Sequence, residues 1–321
     1  MTQIVAQQDA TLQSGIEVWR GGVDLWECDQ MGHMNVRFYV ARCMEGLIGL
    51  AAELGMPDAF SPEAGSTLRL REHHIRFQRE VRPSNPLYMI GGVVEMGETD
   101  ASLLLTLVHA EGDQPAASFL CRVSHVTPQE GRAFPWPQAV RAQVERLRTA
   151  VPAYAAARGL KLDPMVAVPS LAAAEALGLV PIAAGAVSSP DCDVFGNLAA
   201  EGFIGRIANG AGGLIRPLRA VANEPVAEPP VRAGYAALEY RLIYMDAPRA
   251  GDRLVIRSAL AGVDGNALRL VHWMLDPTSG KAWALAEAIS VSFDLDARKI
   301  IPISQAAQAR LAAKLIAGAA L

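Results

Sequence analysis

The clearest periodic pattern in the chain lies between Val36 and Leu54. Apolar residues recur there at the spacing of one face of an α-helix. They are Val36, Val40, Cys43, Leu47, Leu50 and Leu54. Asn35 stands at the start, where a short polar side chain caps amides that have no partner in the helix. Gly55 and Pro57 mark the end, so the segment predicts one long amphipathic helix.

Segments rich in β-branched and aromatic residues flank this helix and predict strands. One strand precedes it at 16–19, and four follow at 68–81, 87–95, 102–110 and 116–126. The 68–81 segment alternates, so we expect a half-buried strand. Its two faces would carry His73, Ile75, Phe77 and Val81 on one side and His74, Arg76, Gln78 and Glu80 on the other. The first half therefore predicts one long helix followed by an antiparallel meander.

The second half repeats this order, with strands predicted at 236–244, 253–260, 267–275 and 282–293. Its helix contains Gly202, Gly205, Gly210, Gly212 and Gly213, although each interior glycine costs about 1 kcal/mol relative to alanine. A phosphate loop is excluded because no strand feeds this segment and no Lys-Ser/Thr follows it. We expect close backbone packing, or an opening for the slender arm of a ligand.

The halves are separated by a connection of different character. Residues 127–137 are rich in proline and glycine. A charged amphipathic helix is predicted at 138–151, with an equivalent helix at 305–319 at the end of the second half. A short helix is predicted at 171–177. The predicted domains are a first unit at 1–130, a helical linker at 131–178, and a second unit at 179–321.

An internal repeat relates the halves. The segment Glu27–His33 aligns without gaps on Asp191–Asn197, and Arg42 falls on Arg206. The offset stays nearly constant along the chain. Further pairs at this offset are Gly21 with Gly185, Val23 with Val187, Arg76 with Arg241, and Pro83 with Pro248. The repeat therefore predicts two similar units. It also predicts that Arg42 and Arg206 each take part in a structural ion pair with an acidic residue.

The strongest candidate chemistry lies where the first repeat loop meets the long helix. Asp29 stands on a glycine-containing loop that leads into a helix N-terminus, where unpaired amides and the helix dipole favour negative charge. A carboxylate beside such a pocket suits acyl transfer. Taken alone, this local sequence favours ordinary turn and capping chemistry instead.

A family resemblance changes that balance. The Asp29–Asn35 segment, then Tyr39 and Arg42 in a helix, then a strand at His74–Phe77, resembles the hot-dog fold thioesterases of the 4-hydroxybenzoyl-CoA thioesterase-like group. The resemblance covers Ile16 to Val126 well and Leu179 to Ser304 less well. It implies an α+β fold of two tandem hot-dog units, each an antiparallel sheet wrapped around a helix, forming a pseudo-dimer. A homodimer of pseudo-dimers is a further expectation.

The resemblance also implies site residues. Asp29 would attack the thioester carbonyl or activate a water, and the Val36 amide would help hold the oxyanion. Gly32, His33, Asn35 and Tyr39 would form the substrate site, although capping explains Asn35 equally well and the role of His33 stays open. The second-half counterparts Asp193, Gly196 and Asn197 lack most of the surrounding polar groups. An acyl-CoA would be the substrate, and no separate cofactor is expected.

Composition limits the other possibilities. The 321 residues are 51% apolar and 19% charged, with a formal net charge of −4, which favours folded domains without a nucleic-acid partner. Residues 1–13 have neither a charged nor an apolar region of the kind found in signal peptides, so we expect no secretory signal there, and no apolar run reaches the length of a membrane helix. The cysteines and histidines show no disulfide or metal-ligand spacing. We therefore expect a cytoplasmic protein with no metal.

Two other function classes stay open. A non-catalytic acyl-thioester binding or sensing protein is one, because a fold alone does not fix a function. A hot-dog hydratase or dehydratase is the other, although the sequence has no evident His-Asp pairing. A serine hydrolase is disfavoured because the chain has no Gly-x-Ser-x-Gly motif.

Overall fold

The computed structural model describes residues 12–223 and 232–321. Within them the chain forms two compact units. The first unit comprises residues 12–157 together with Ser189–Ile204, and the second unit comprises Arg158–Ser188 together with the described part of Gly205–Leu321. Both copies of the repeated loop, around Asp29 and around Asp193, thus belong to the first unit. Most of the 1–13 segment that was considered for a secretory signal lies outside the described residues.

The first unit is built on an antiparallel sheet that packs against one long helix. Its elements are β1 (Ile16–Gly21), α1 (Val36–Glu53), β2 (Thr67–Phe77), β3 (Leu87–Met96), β4 (Asp100–His109), β5 (Gln114–Val126) and α2 (Gln138–Gln143). The strand order is β1-β3-β4-β5-β2, and every neighbouring pair is antiparallel. Helix α1 contacts β1, β3 and β4. The predicted helix and meander are confirmed.

The second unit repeats this topology. The elements after Ala157 are α3 (Leu171–Ala176), β6 (Val180–Ala186), α4 (Ala200–Gly210), α5 (Gly212–Ala222), β7 (Ala233–Tyr244), β8 (Arg253–Asp264), β9 (Ala267–Leu275), β10 (Ala282–Asp294), β11 (Lys299–Ile300) and α6 (Gln305–Ala312). All of them belong to the second unit except the first five residues of α4, which belong to the first. The order β6-β8-β9-β10-β7 matches that of the first unit. The prediction of two tandem hot-dog units is confirmed, while the pseudo-dimer arrangement and the domain boundaries stay predictions.

Close packing explains the presence of one glycine in α1 and of one glycine in α4. Gly46 and Gly210 share the repeat offset of Arg42 and Arg206. A methyl group at Gly210 would lie 2.8 Å from the carbonyl oxygen of Ile182, and one at Gly46 would overlap the sulfur of Met89. The expected close backbone packing is thus confirmed at Gly210, whereas at Gly213 it is wrong, because a methyl group there would meet no described heavy atom within 4 Å. The predicted second helix is interrupted at Ala211, which separates α4 from α5.

Two helices predicted from the charge pattern are shorter than expected. The 138–151 helix ends at Gln143, and the 305–319 helix ends at Ala312. In both cases the chain beyond the helix bonds to a strand backbone instead. Val93 donates to Leu147 at 2.7 Å and accepts from Thr149 at 2.9 Å, while Ile316 donates to Leu260 at 3.1 Å. Pairing with a strand therefore replaces the last helical turns, in the same way in both units.

The expectation of a half-buried strand at 68–81 is wrong. Strand β2 ends at Phe77, and the consecutive residues His73, His74 and Ile75 are all buried. Consecutive side chains of a strand point to opposite faces, so both faces of β2 are covered at this point.

Among the described helices, none combines the length and the apolar character needed to cross a membrane.

His272 on β9 allows a test of the second unit's core. It is 1% exposed and pairs with the Ser258 hydroxyl at 2.8 Å, and burial lowers the pKa of the imidazole to about 4. The histidine of the unfolded chain has a pKa of about 6.5. Between this pH and about pH 4, the unfolded chain binds a proton at this residue and the folded chain does not. The contribution of neutral His272 to the free energy of unfolding is therefore fully present above about pH 6.5. It is lost as the pH falls towards 4, by up to about 1.4 kcal/mol per pH unit.

We expect His272→Gln to remove this part of the slope. Urea unfolding between pH 4.5 and 7.5 measures the dependence, and the comparison uses slopes, so a uniform loss of stability in the variant does not affect it. A variant slope equal to that of the wild type would contradict the prediction.

Candidate functional site

The loop before α1 is a tight turn closed by its own backbone. The amide of Asp29 donates to the carbonyl of His33 at 2.8 Å, and the amide of Gly32 donates to the carbonyl of Asp29 at 2.9 Å. Gly32 has a φ of +75°, in the left-handed region that glycine enters without steric cost. Cys28 and Met34 form a bridge across the base of the loop. The loop thus holds Asp29 in a fixed position before the helix.

The two oxygens of the Asp29 carboxylate have different surroundings. Oδ1 accepts from the amides of Met31 at 2.8 Å and His33 at 3.4 Å. Oδ2 has no hydrogen-bond partner among the residues that the structure describes. The side chain is partly exposed. One oxygen therefore orients the carboxylate, and the other is available to a ligand or a water.

The start of α1 supplies a candidate anion site. Asn35 caps the helix, as its side chain accepts from the Arg37 amide at 3.0 Å and its carbonyl accepts from Phe38 at 2.9 Å. This confirms the capping role predicted for Asn35. The amide of Val36, the first helical residue, has no acceptor within the described ranges. Such an amide at a positive helix end suits an oxyanion.

Tyr39 lies on the first turn of α1 and is 4% exposed. Its ring meets Phe77 edge to face, with centroids 5.0 Å apart. Burial raises the pKa of the Tyr39 hydroxyl above its usual range, a hydrogen bond with the Val81 backbone partly offsets this, and the charge of Asp29 raises the pKa further. Tyr39 is therefore neutral, and its hydroxyl lies within the electrostatic range of Asp29. The counterpart in the repeat is Phe203, which is buried but has no hydroxyl.

His33 has a carboxylate partner that the sequence did not reveal. Its Nε2 lies 3.2 Å from Glu80, and the imidazole side chain is 13% exposed. The residues are far apart in sequence, and Glu80 follows the end of β2, so no local pattern signals the pair. His33 thus contributes a backbone amide to Asp29 and a side chain to Glu80. It is a histidine–carboxylate pair beside the loop, which the sequence analysis did not identify.

A buried ion pair joins the loop to the middle of α1. Glu27 is 1% exposed and lies 2.5 Å from Arg42, which also contacts Glu45 at 2.9 Å and Trp19 at 5.5 Å from the ring centroid. The other Glu27 oxygen accepts from the Asp24 amide at 3.0 Å. The structural role predicted for Arg42 is confirmed, and Arg206 in α4 donates to the Ala186 carbonyl at 3.4 Å.

The second copy of the loop reproduces the first almost bond for bond. The Asp193 amide donates to the Asn197 carbonyl at 2.7 Å. Its Oδ1 accepts from Phe195 at 2.9 Å and from Asn197 at 3.0 Å, and Gly196 has a φ of +80°. Ala199 stands where Asn35 stands in the first copy, so the side-chain cap is absent. The backbone is thus retained while the polar groups around it are not.

The first unit also contains a contact between the two copies of the loop region. Arg37, at the second position of α1, lies 3.5 Å from Asp191, and both side chains are partly exposed. Asp191 occupies the repeat position of Glu27. The segment Ser189–Ile204 therefore lies close to the first turn of α1, where the candidate anion site is.

An apolar surface borders the same helix end. Leu25 and Trp26 are 76% and 71% exposed. The Trp26 ring meets Phe38, on the first turn of α1, edge to face with centroids 5.2 Å apart. Large exposed apolar side chains side by side are typical of ligand or partner contacts.

Three arginines on or just after β2 bind other residues of the protein. Arg71 donates to the Ser124 hydroxyl at 3.0 Å, Arg76 to the Ala156 carbonyl at 2.6 Å, and Arg79 to Gln114 at 3.0 Å.

Outside the loop, the structure brings together Cys43, His73 and Cys121. The sequence analysis missed this potential metal-binding group, since its members are widely separated in sequence.

Comparison with known families finds one matching family model. The model for the Thioesterase-like superfamily matches residues 23–144 and 188–311. Each match contains one copy of the Asp-x-x-Gly loop and the strands that follow it. The two matched segments confirm the tandem organisation and the resemblance found in the sequence. Comparison with curated proteins found no significant sequence match.

Solved structures share the tandem fold at low sequence identity. A protein provisionally named an oleoyl thioesterase from Lactobacillus plantarum has a TM-score of 0.65 and 10% identity over 88% of this chain and 97% of its own. An acyl-ACP thioesterase from Bacteroides thetaiotaomicron gives 0.61 and 11% over 85% and 96%. The 12:0-ACP thioesterase from Umbellularia californica gives 0.58 and 11% over 88% and 94%. At this identity the likeness concerns the fold alone.

Proposed function

This chain belongs to the thioesterase-like superfamily, and we propose that it hydrolyses an acyl thioester with Asp29 as the catalytic carboxylate. The observation that carries the proposal is the division of labour within that carboxylate. Two loop amides hold Oδ1, while Oδ2 has no partner among the described residues. The carboxylate is therefore fixed in orientation and retains one oxygen for chemistry.

The proposed reaction uses this oxygen and the end of α1. Oδ2 takes a proton from a water that attacks the thioester carbonyl carbon, or attacks that carbon itself. The carbonyl oxygen becomes negative, and the Val36 amide donates to it. When the C–S bond breaks, the thiolate leaves and takes up a proton, which in the water route is the one that Asp29 accepted. In the route of direct attack, the acyl group remains on Asp29 as an anhydride, and a water then hydrolyses it to the carboxylic acid and free Asp29. Because a thiol has a pKa of about 8.5, the thiolate needs little help from a general acid.

The neighbouring residues have positioning roles in this proposal. Gly32 permits the turn, Asn35 caps the helix, and His33 links the Asp29 loop to Glu80 through its side chain. Tyr39 places a neutral hydroxyl near Asp29. Because Tyr39 is neutral, the Asp29 carboxylate stays charged, and Tyr39 does not compete with it as the catalytic base.

We propose an acyl-CoA as the substrate. The support is the resemblance of the Asp29–Asn35 segment to CoA thioesterases, together with the apolar surface of Leu25 and Trp26 beside the helix end. An apolar surface at this place suits the acyl chain. Acyl-carrier-protein thioesters are the competing substrate, since two proteins of similar fold are named for that activity.

A thiol-release assay decides between these substrates. The full chain is assayed with straight-chain acyl-CoAs of increasing length and with the same acyl groups on a carrier protein. We expect turnover of acyl-CoA without any carrier protein and a KM that falls with chain length. A kcat/KM that is higher for the carrier-protein thioesters would overturn the CoA assignment.

The same assay separates hydrolysis from the other function classes. Tight acyl-CoA binding without thiol release would indicate a binding or sensing protein. Addition of water to an enoyl-CoA would indicate a hydratase, for which the pair of His33 and Glu80 at 3.2 Å offers acid–base groups. Thioester hydrolysis is favoured because both copies of the loop lie within the matched family segments.

Asp29→Asn tests the catalytic carboxylate, with Asp193→Asn as a matched control. Asparagine keeps an Oδ1 that can accept the two loop hydrogen bonds, so the loop should stay folded. The charge is lost, and we expect kcat to fall by about 10²–10⁴-fold, the contribution of a general base. Asp193→Asn removes the same charge from a loop of the same geometry, and we expect near-normal turnover.

Circular dichroism and thermal melting establish that both variants are folded. A folded Asp29→Asn protein with near-normal turnover would refute the assignment. If Asp193→Asn is the more damaging change, the principal active site is at the second loop.

Val36→Pro tests the oxyanion site by deleting one N–H. Proline is favoured at the first position of a helix. The preceding residue, Asn35, has φ −67° and ψ 144°, a conformation that precedes proline readily. We therefore expect a folded protein whose kcat falls by about 10²–10³-fold, the usual effect of losing one oxyanion donor.

Two controls isolate the amide. Val36→Ala removes most of the side chain and keeps the N–H, so its kcat should stay close to that of the wild type. Ala200→Pro makes the equivalent change at the first residue of α4. Wild-type kcat in a folded Val36→Pro protein would show that this amide does not contact the oxyanion.

A further inference from the structure

Three side chains with metal-binding atoms meet in the core of the first unit. Cys43 comes from α1, His73 from β2 and Cys121 from β5, and all three are fully buried, at 0% exposure. The backbone supports this arrangement, because His73 and Cys121 are directly opposite each other in the β2–β5 pair. The cluster therefore rests on three separate elements that the fold fixes relative to one another.

The distances match those between ligands of a single ion. The two sulfur atoms are 3.8 Å apart, Cys43 Sγ is 3.7 Å from His73 Nε2, and all three ligand atoms lie within 4.8 Å of one another. With metal–sulfur bonds of about 2.3 Å and metal–nitrogen bonds of about 2.0 Å, ligand atoms around one ion are about 3.6–4.0 Å apart. Small movements would complete such a site.

The repeat shows that the core does not need a thiol at the position of Cys43. Ile207 follows Arg206 as Cys43 follows Arg42, and Ile207 is buried. The second helix thus fills the equivalent position with an aliphatic side chain. The other two cysteines, Cys28 and Cys192, occupy matching positions in the repeated loops and are partly exposed.

The donor set selects the class of ion. Two thiolates and one imidazole are soft or intermediate ligands, which favour Cu(I) or Zn(II) and disfavour magnesium and calcium. Structural zinc is almost always four-coordinate. No fourth histidine, cysteine or carboxylate joins the cluster in the described part of the chain, and the ligands are sealed from solvent. A cuprous ion is stable with three ligands and so fits this site better.

We propose that Cys43, His73 and Cys121 form a binding site for one cuprous ion. Binding deprotonates the thiols and releases protons, and the single positive charge of the ion offsets one of the two thiolate charges inside the core. It also ties α1 to β2 and β5. Because the ion binds the folded chain, it stabilises that state by an amount that grows with the logarithm of its affinity.

The first experiment measures binding to the intact protein. Metal-free full-length chain is titrated anaerobically with Cu(I) in competition with a chromophoric Cu(I) chelator, and in parallel with Zn(II) and a zinc indicator. We expect one Cu(I) per chain, a raised Tm, and weaker retention of Zn(II). Copper-edge X-ray absorption should show two sulfur neighbours and one nitrogen neighbour.

Matched variants locate the site. Cys43→Ala and Cys121→Ala should each lose at least tenfold in Cu(I) affinity and lose the gain in Tm. Cys28→Ala and Cys192→Ala remove the same chemical group elsewhere and should bind as the wild type does. Asp29→Asn should also bind Cu(I) normally, so failure of the proposed catalytic role and failure of this site are distinguishable.

Several outcomes would overturn the proposal. They are no Cu(I) binding by the wild type, equal losses in the Cys28→Ala and Cys121→Ala proteins, and tighter retention of Zn(II) than of Cu(I). If a core variant does not fold, the sulfur and nitrogen neighbours seen by X-ray absorption of the wild type decide the matter.

Discussion

The placement of α1 against its sheet is the constraint on which the candidate chemistry of the first unit depends. Leu47 and Leu50 are fully buried on this helix, and the absence of a side chain at Gly46 lets it approach Met89 closely. The buried face fixes where the helix N-terminus lies. This packing interaction therefore positions the first turn, with Val36 and Tyr39, beside the Asp29 loop.

The loop is then tied to the helix at several points. The Asn35 amide donates to the Glu27 carbonyl at 2.9 Å, the Met34 amide donates to the Val81 carbonyl at 2.8 Å, and the Glu27 side chain pairs with Arg42. A buried carboxylate is costly unless it is paired, so the Glu27–Arg42 pair restricts the loop to one position. The carboxylate of Asp29 is thereby held by the same residues that keep the helix end in place.

The sequence predicted most elements because their patterns are local. The spacing from Val36 to Leu54 and the turn signals between strands arise from residues close in the chain, and α1 and β2–β5 follow them. The helix predicted at 138–151 ends early because residues near Leu147 bond to Val93 of a distant strand. That competition depends on tertiary structure and leaves no local mark.

The same distinction applies to the site. The Asp29 loop could be found because its residues are contiguous and recur in the second half. His33 and Glu80 are not contiguous, and the Cys43–His73–Cys121 cluster has members on three elements. Groups assembled by folding from separate segments have no characteristic spacing, so the sequence analysis missed them.

The two loops together separate the structural from the chemical role of the aspartate. Asp29 and Asp193 accept the same pair of amide hydrogen bonds around a glycine of the same conformation. Those bonds need only one oxygen of each carboxylate, so the presence of aspartate in both loops is explained by the turn alone. What differs is the surrounding chemistry, because Asn35 and Tyr39 are replaced by Ala199 and Phe203. The second oxygen has no partner among the described residues in either loop, so the case for Asp29 over Asp193 rests on its polar neighbours, and the turn itself is not evidence for catalysis.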